Sequence, residues 1–301
     1  VSKKVEVVIV ENGIYDSPDV IAAITGYAES IKSSLGYDCN VVRVLSQDNN
    51  PRGIDAFIES RYLAGTQLFI LVGNDLKWPL SFYWDEIGQY GFAAPADGVL
   101  SDTDGELSVQ DDGLHQPIVS FTAEATVSYI FPPKFLFTPE TQRSYVIQAF
   151  NKFQQYHHGN LAYSKKGIIC GRLSETLFRY PANYMSLASN LLFGYENTLK
   201  KELSSFEVKQ YLNQAPAFFG AAGHGSPDVV ETSSTGGQLN YRDLYEKNTP
   251  KTPLFLEIFG CWTNGWRIEK PSDPWGGIAG FLSEAGIFGN DYTCLLYTSD
   301  A

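Results

Sequence analysis

Basic residues are scarce in this chain: 22 Lys and Arg stand against 34 Asp and Glu, for a formal charge of -12. A nucleic-acid binder needs clustered cations to neutralise phosphates, so this balance excludes nucleic acid as a partner class. It leaves an acidic exterior that mainly serves solubility. Long apolar runs are also missing, since no stretch approaches the roughly 18 residues of a membrane-spanning helix. The opening VSKK leads straight into a strand pattern rather than a signal segment. The chain opens on Val1 and not on Met, so the lack of a leader carries little weight. Cysteine is sparse, with four in all. One of them falls in residues 294–301 (CLLYTSDA), which read as the in-frame translation of a sequencing adapter and are set aside as a non-native tail. On that reading the natural protein continues past the fragment in both directions. Cys39, Cys170 and Cys261 remain, with no CxxC or Cys/His ligand spacing, which supports neither a disulfide framework nor a structural zinc site. No GxGxxG or GxxxxGK[ST] follows a strand, and this counts against a nucleotide-binding protein.

What is present is an alternation of strands and helices. Residues 5–10 (VEVVIV) form a β-rich run, and a helical pattern spans Ser17 to Leu35 with Pro18 at its first turn and Gly36 at its end. The unit repeats as NVVRVL (40–45), a helix from about Pro51 to Ala64, and LFILV (68–72) ending in Gly73-Asn74-Asp75. Nearly continuous apolar strands between amphipathic helices predict a parallel sheet covered on both faces. From Trp84 to Pro117 the periodicity fades into Gly, Pro and acids, which predicts a long loop. Its bland reading is a solvated acidic loop. A structural calcium site through Asp102, Asp104 and Glu106 is the alternative.

A second α/β region follows. It comprises a helix over Pro139 to His157 capped by Thr138, a buried strand over Lys166 to Cys170, and a helix from about Pro181 to Leu203. Two further strands come next: APAFFGAA (215–222) runs into Gly223-His224-Gly225, and PLFLEIF (253–259) runs into Gly260-Cys261. The expected organisation is an α/β subdomain over 1–130 with the acidic loop, then a second α/β subdomain over 131–293 with a mainly parallel sheet.

Ligands of open parallel sheets gather beyond the carboxyl ends of the strands, and both GHG and GC sit at such ends. His224 and Cys261, 37 positions apart, are therefore candidates to face each other. An imidazole activates a thiol whose free pKa is about 8.5 by removing its proton, and later returns that proton to a leaving amine. Gly225, lacking a side chain, lets its own amide, the one after the histidine, approach a scissile carbonyl, and with the Cys261 amide it can form an oxyanion hole. Taken singly, a strand-end Cys reads as packing and a lone His as a surface residue. Two equivalent strand ends carrying Gly-His-Gly and Gly-Cys are harder to obtain by accident. Cys170, inside a strand, reads as core.

The blocks FFGAAGHGSPDVVE and LFLEIFGCWTNGW resemble the strand, His-Gly, strand, Cys pattern of the caspase and legumain clan, and most closely the gingipain-like cysteine peptidases. Cys261, Gly265 and Trp266 match a nucleophile followed shortly by Gly and an aromatic. The segments LFILVGND, ADGVLSDTDGE and GIAGFLSEAGIFGN add looser likeness across residues 5 to 293. Gly260 stands where the family has a small residue such as Ala, Asn74 interrupts VGD, and Trp262 with Trp266 makes a bulky loop after the cysteine. The resemblance implies two stacked α/β subdomains, the second caspase-like. It also implies a cysteine endopeptidase acting on proteins or peptides, with no required cofactor, secreted or held at the cell surface. By position it offers Glu175 as the S1 acid for a basic P1 side chain, with Trp262 and Trp266 in the substrate-binding loop and Asp228 and Glu231 as weaker competitors. The rival expectation is a catalytically silent homologue acting as a binding or secretion-associated module.

Overall fold

The computed structural model describes residues 3–77, 80–84, 91–95, 100–103, 114–115, 124–130, 132, 138–161, 163–226, 228–240, 243–244, 255–259 and 295–299. For 80–84, 91–95, 114–115 and 295–299 the description is of backbone alone. The chain divides into two compact units, 1–158 and 159–301. Both are α/β with parallel sheets and helices between the strands, as the alternation of apolar runs and amphipathic stretches predicts.

In the first unit, β1 (Lys4–Val10), β2 (Asp38–Val44), β3 (Leu68–Val72) and β7 (Thr126–Ile130) form a parallel sheet in the order β2-β1-β3-β7. β1 is flanked on both sides and buried on both faces, which is why VEVVIV runs apolar without alternation. Its one acid, Glu6, is 3% exposed, and Arg61 on α2 (Pro51–Leu63) reaches in to pair with both carboxylate oxygens. That bidentate contact satisfies a charge that is costly to bury alone. α1 (Pro18–Leu35) ends at Gly36, whose φ of 70° lets its amide donate to the Lys32 carbonyl. α2 is capped by the Asn50 side chain, and α3 (Pro139–His157) by Thr138, whose hydroxyl accepts from the Thr141 amide.

α3 packs on α1. Tyr27 meets Phe150, Phe153 and His157 at ring-centroid distances of 5.5, 5.9 and 5.9 Å, and the Gln154 amide donates to the Ala23 carbonyl. The boundary between units thus falls after residue 158 rather than after residue 130. The acidic stretch also differs from the expected loop, since it contains β5 (Gly91–Pro95) and β6 (Leu114–His115), which pair with β4 (Leu80–Trp84) in a small separate sheet.

On α2, burial, followed by the charges of Glu59 and Asp102, pushes the Asp55 carboxyl up to about 7. A carboxyl raised in the folded state contributes stability that is complete below its unfolded pKa near 4 and disappears as pH rises through 7. Asp55→Asn is accordingly expected to raise stability at pH 8 by about 1–3 kcal/mol, with little change at pH 4. Thermal melts of both proteins at the two pH values check this.

In the second unit, β8 (Ser164–Gly171), β9 (Thr198–Lys200), β10 (Pro216–Ala222), β14 (Phe255–Phe259) and β15 (Leu295–Ser299) form a parallel sheet in the order β15-β14-β10-β8-β9. All seven residues of central β10 are buried. α4 (Thr176–Phe193) covers one face through Phe178, Ala182 and Met185, which pack with Ile169, Phe218 and Ala222. α5 (Ser205–Leu212) covers the other through Val208 and Leu212, beside Ile168, Phe219, Ala221, Leu256 and Ile258. α5 spans eight residues and is held by a capping box between Ser204 and Glu207.

α4 begins five residues before the expected start and ends ten before the expected end. Pro181 lies inside it, beyond the first turn, so its missing N–H leaves the Leu177 carbonyl without its helical donor. Gly194, at φ 90°, stops the helix. The chain then pairs β9 with β8. Residues 295–299 of the tail set aside above lie alongside β14. An open strand edge offers unpaired N–H and C=O groups to any β-prone segment, and LLYTS is one.

Candidate functional site

Because β8, β10 and β14 are adjacent and parallel, their carboxyl ends open on one edge of the sheet. The first brings Gly171, Arg172 and the turn to Glu175; the second brings Gly223 and His224; the third ends at Phe259. Ala222 lies opposite Phe259, and the ladder extends one step further as the Gly223 amide donates to the Phe259 carbonyl at 3.0 Å. His224 is thus two residues beyond the register pair on one strand, and in sequence Cys261 is two residues beyond it on the other. Cys261, Trp262 and Trp266 lie outside the described residues, as do the calcium candidates Asp104 and Glu106.

Glycine is required at both described strand ends. A Cβ on Gly223 would fall 2.2 Å from the Glu231 carbonyl oxygen, and one on Gly171 would fall 1.9 Å from that of Ala222. Gly171 also takes a φ of 151°. These close approaches seat the end of β8 against Ala222 of β10, and Glu231 of β12 (Val229–Glu231) against the residue just before the histidine.

The backbone around His224 is fixed by the small antiparallel sheet of β11 (Gly225–Ser226), β12 and β13 (Gln238–Asn240). The Glu231 amide donates to the His224 carbonyl at 2.8 Å. This makes the facing pair Gly225 and Val230 a non-hydrogen-bonded one. In such a pair the amide points away from the partner strand, so the Gly225 N–H is turned outward from β12.

The imidazole is half exposed, at 55%. Its ring meets the edge of buried Phe178 at a centroid distance of 4.8 Å and an interplanar angle of 78°. Its Nε2 lies 3.6 Å from Oε2 of Glu175. Glu175 occupies the N-cap position of α4, where the positive end of the helix dipole favours a carboxylate. Arg172 binds Glu175 and also donates to Glu231 at 2.6 Å. Glu202 braces the same turn: its carboxylate accepts from the Ser174 amide at 3.2 Å and from the Ser234 amide and hydroxyl at 2.9 and 2.6 Å. The Ser234 hydroxyl, first among these donors, holds the Glu202 carboxyl below its ordinary pKa.

The structure therefore brings Glu175, His224 and Gly225 together. It places Asp228 apart in the β11–β12 turn, accepting from the Ser226 hydroxyl at 2.6 Å, and ties Glu231 to Arg172. Arg172, Phe178 and Glu202 were not singled out by sequence. The available signal was the position of Arg172, directly after the glycine that ends a buried strand. Cys170 is fully buried, its thiol donates to the Gly220 carbonyl at 3.4 Å, and burial pushes its pKa up. Cys39 is half-buried, and burial followed by the Glu6 charge pushes its thiol up to about 12. Neither environment favours a thiolate. In the first unit Asp102 is buried beside Thr103, whose amide donates to Glu124. Among the described residues no group of three His, Cys, Asp or Glu is placed to hold a metal ion, and no helix is long and apolar enough to cross a membrane.

No protein-family model and no curated protein matches the chain. Among solved structures, the Lac repressor dimer bound to operator and the anti-inducer ONPF aligns at 11% identity with a TM-score of 0.24, covering 86% of this chain. The aligned part is 64% of that repressor chain, under two thirds of its length. So low a score carries no argument about fold or function.

Proposed function

We propose that this chain is a cysteine endopeptidase in which Cys261 is the nucleophile and His224 the proton carrier. The observation that carries this reading is the register of β10 against β14, which ends the two strands side by side and leaves His224 and Cys261 each two residues further on. Two residues of chain reach at most about 7 Å, which keeps both groups near the same strand ends. The likeness of GHG and of the Cys261, Gly265 and Trp266 pattern to gingipain-like peptidases supports the same assignment.

The thiol proton passes to the imidazole, and the sulfur attacks the scissile carbonyl carbon. The charge that develops on the carbonyl oxygen is received by the outward Gly225 amide and the Cys261 amide. Collapse breaks the C–N bond, and the amine leaves with the proton from the imidazolium. Water, deprotonated by the same imidazole, then cleaves the thioester and restores the thiol. Proteins or peptides are the substrates, and no step needs a metal or organic cofactor. Residues Trp262 and Trp266 are assigned to the substrate-binding loop, and the resemblance implies a protein that is secreted or held at the cell surface.

Glu175 has a position suited to a second role besides the S1 acid. Paired with Arg172 and 3.6 Å from the imidazole, it is placed to orient that ring as the third member of a Cys-His-carboxylate set. We assign it this positioning role, because a carboxylate already neutralised by an arginine has less charge to offer a basic P1 side chain.

The test is labelling by an electrophilic peptidyl probe directed at thiols. One adduct, mapped to Cys261 by mass spectrometry and lost in His224→Ala, is the expected result. Labelling of His224→Ala at the wild-type rate would instead identify a reactive thiol without a proton carrier, as in a silent homologue.

A further inference from the structure

α4 is apolar on two sides. Its inward side, Phe178, Ala182, Met185 and Ser189, is buried against the sheet. Its outward side carries Leu177, Tyr180, Tyr184, Leu187 and Leu191, which are 60%, 63%, 72%, 48% and 79% exposed. At 3.6 residues per turn the two stripes are centred about 150° apart, so packing onto the sheet does nothing for the outer one. A surface helix ordinarily turns polar residues to water, so an exposed stripe of this size marks a contact surface.

We propose that this outer face docks a second copy of the same chain, the two α4 helices packing antiparallel across a two-fold axis near Tyr184. The spacing of the stripe, steps of three, four, three and four residues, is that of a seam where one helix interlocks with another. An identical seam is its own complement about a two-fold axis, and antiparallel pairing sets the helix dipoles in opposition. The five side chains of the stripe expose on the order of 700 Å², against about 800 Å² per partner in a standard specific interface.

Charge points the same way. A chain of net charge -12 repels its own copies over most of its surface. Yet α4 has one ionisable side chain among its acids and bases, Arg179, and that guanidinium is turned back to donate to the Leu173 and Ser174 carbonyls at 2.8 and 2.9 Å. The stripe is thus a place where two copies meet without like charges facing each other. The contact lies on the flank of the unit and is independent of the peptidase assignment.

Sedimentation equilibrium of the whole chain across concentration is the experiment, with Tyr184→Glu/Leu187→Glu as the interface variant and circular dichroism as the check on its fold. The expected result is a reversible wild-type dimer whose dissociation constant rises at least about 100-fold in the variant, since the change buries charges at the centre of the contact. Should that variant unfold, Leu191→Glu, at the end of the stripe, takes its place. Tyr184→Cys adds a geometric reading: near the axis, residue 184 meets its own counterpart and forms an intermolecular disulfide identifiable by mass spectrometry, whereas Leu177→Cys, far from the axis, does not. A wild-type chain that stays monomeric overturns the proposal, whether the stripe is then covered by another protein or by the chain itself. Association that survives Tyr184→Glu/Leu187→Glu unchanged overturns it too.

Discussion

Cys261→Ala is expected to lower kcat/KM for peptide hydrolysis by at least about 10⁴-fold, because removing the nucleophile leaves only the oxyanion donors and substrate binding to act. The loss should appear in kcat, since the thiol forms its new bond only as the reaction proceeds. The fold should be retained, so that the loss reports chemistry and not unfolding. Cys170→Ala is the informative contrast. That thiol is fully enclosed on β8 and donates to the Gly220 carbonyl, so its removal should leave turnover intact and cost about 1–2 kcal/mol of stability. Parallel measurement of peptide turnover and thermal unfolding separates the two cysteines. Undiminished hydrolysis by Cys261→Ala would remove the mechanism.

Glu175→Gln should have the next largest effect, a fall in kcat of about 10–100-fold with KM nearly unchanged. The amide keeps the size of the side chain but gives up its charge beside both Arg172 and the imidazole. If Glu175 orients the ring, kcat falls for every substrate by a similar factor, and Glu175→Asp restores part of it. If instead it selects a basic P1 residue, KM rises for Arg and Lys substrates alone and the preference across a P1 library flattens. Profiling the variant on such a library measures both quantities in one experiment. A uniform loss supports the positioning role and dismisses the S1 assignment, while a loss confined to basic P1 residues does the reverse.

The parallel sheets were legible because they need strands buried on both faces. AFFGAA, and VEVVIV apart from Glu6, are apolar in consecutive positions, a pattern that a half-exposed strand would break. The carboxyl ends of β10 and β14 were legible for the same reason, each marked by glycine where the apolar run stops. The extent of α4 was not: Pro181 reads as a first-turn residue, yet it sits inside the helix, where the packing of Phe178, Ala182 and Met185 on the sheet outweighs the hydrogen bond it forgoes. β9 is three residues long and acquires its identity from pairing with β8, which no local pattern encodes. The unit boundary was misplaced because the amphipathic pattern of α3 indicates that one face is buried without indicating against what. Tyr27 and Gln154 supply the answer only in three dimensions. The approach of Glu175 to His224 joins residues 49 positions apart through adjacent strand ends, and depends on β8 lying directly beside β10.

Each compact unit is a continuous stretch of chain, and the first ends at residue 158 before the second begins. Among the described residues every strand pairs within its own unit, so the amino-terminal sheet can close while its successor is still being polymerised. The groups assigned to peptide cleavage, Glu175, His224, Gly225 and Cys261, all belong to the later half. On the proposed assignment, the amino-terminal unit can fold before the residues assigned to cleavage have been synthesised.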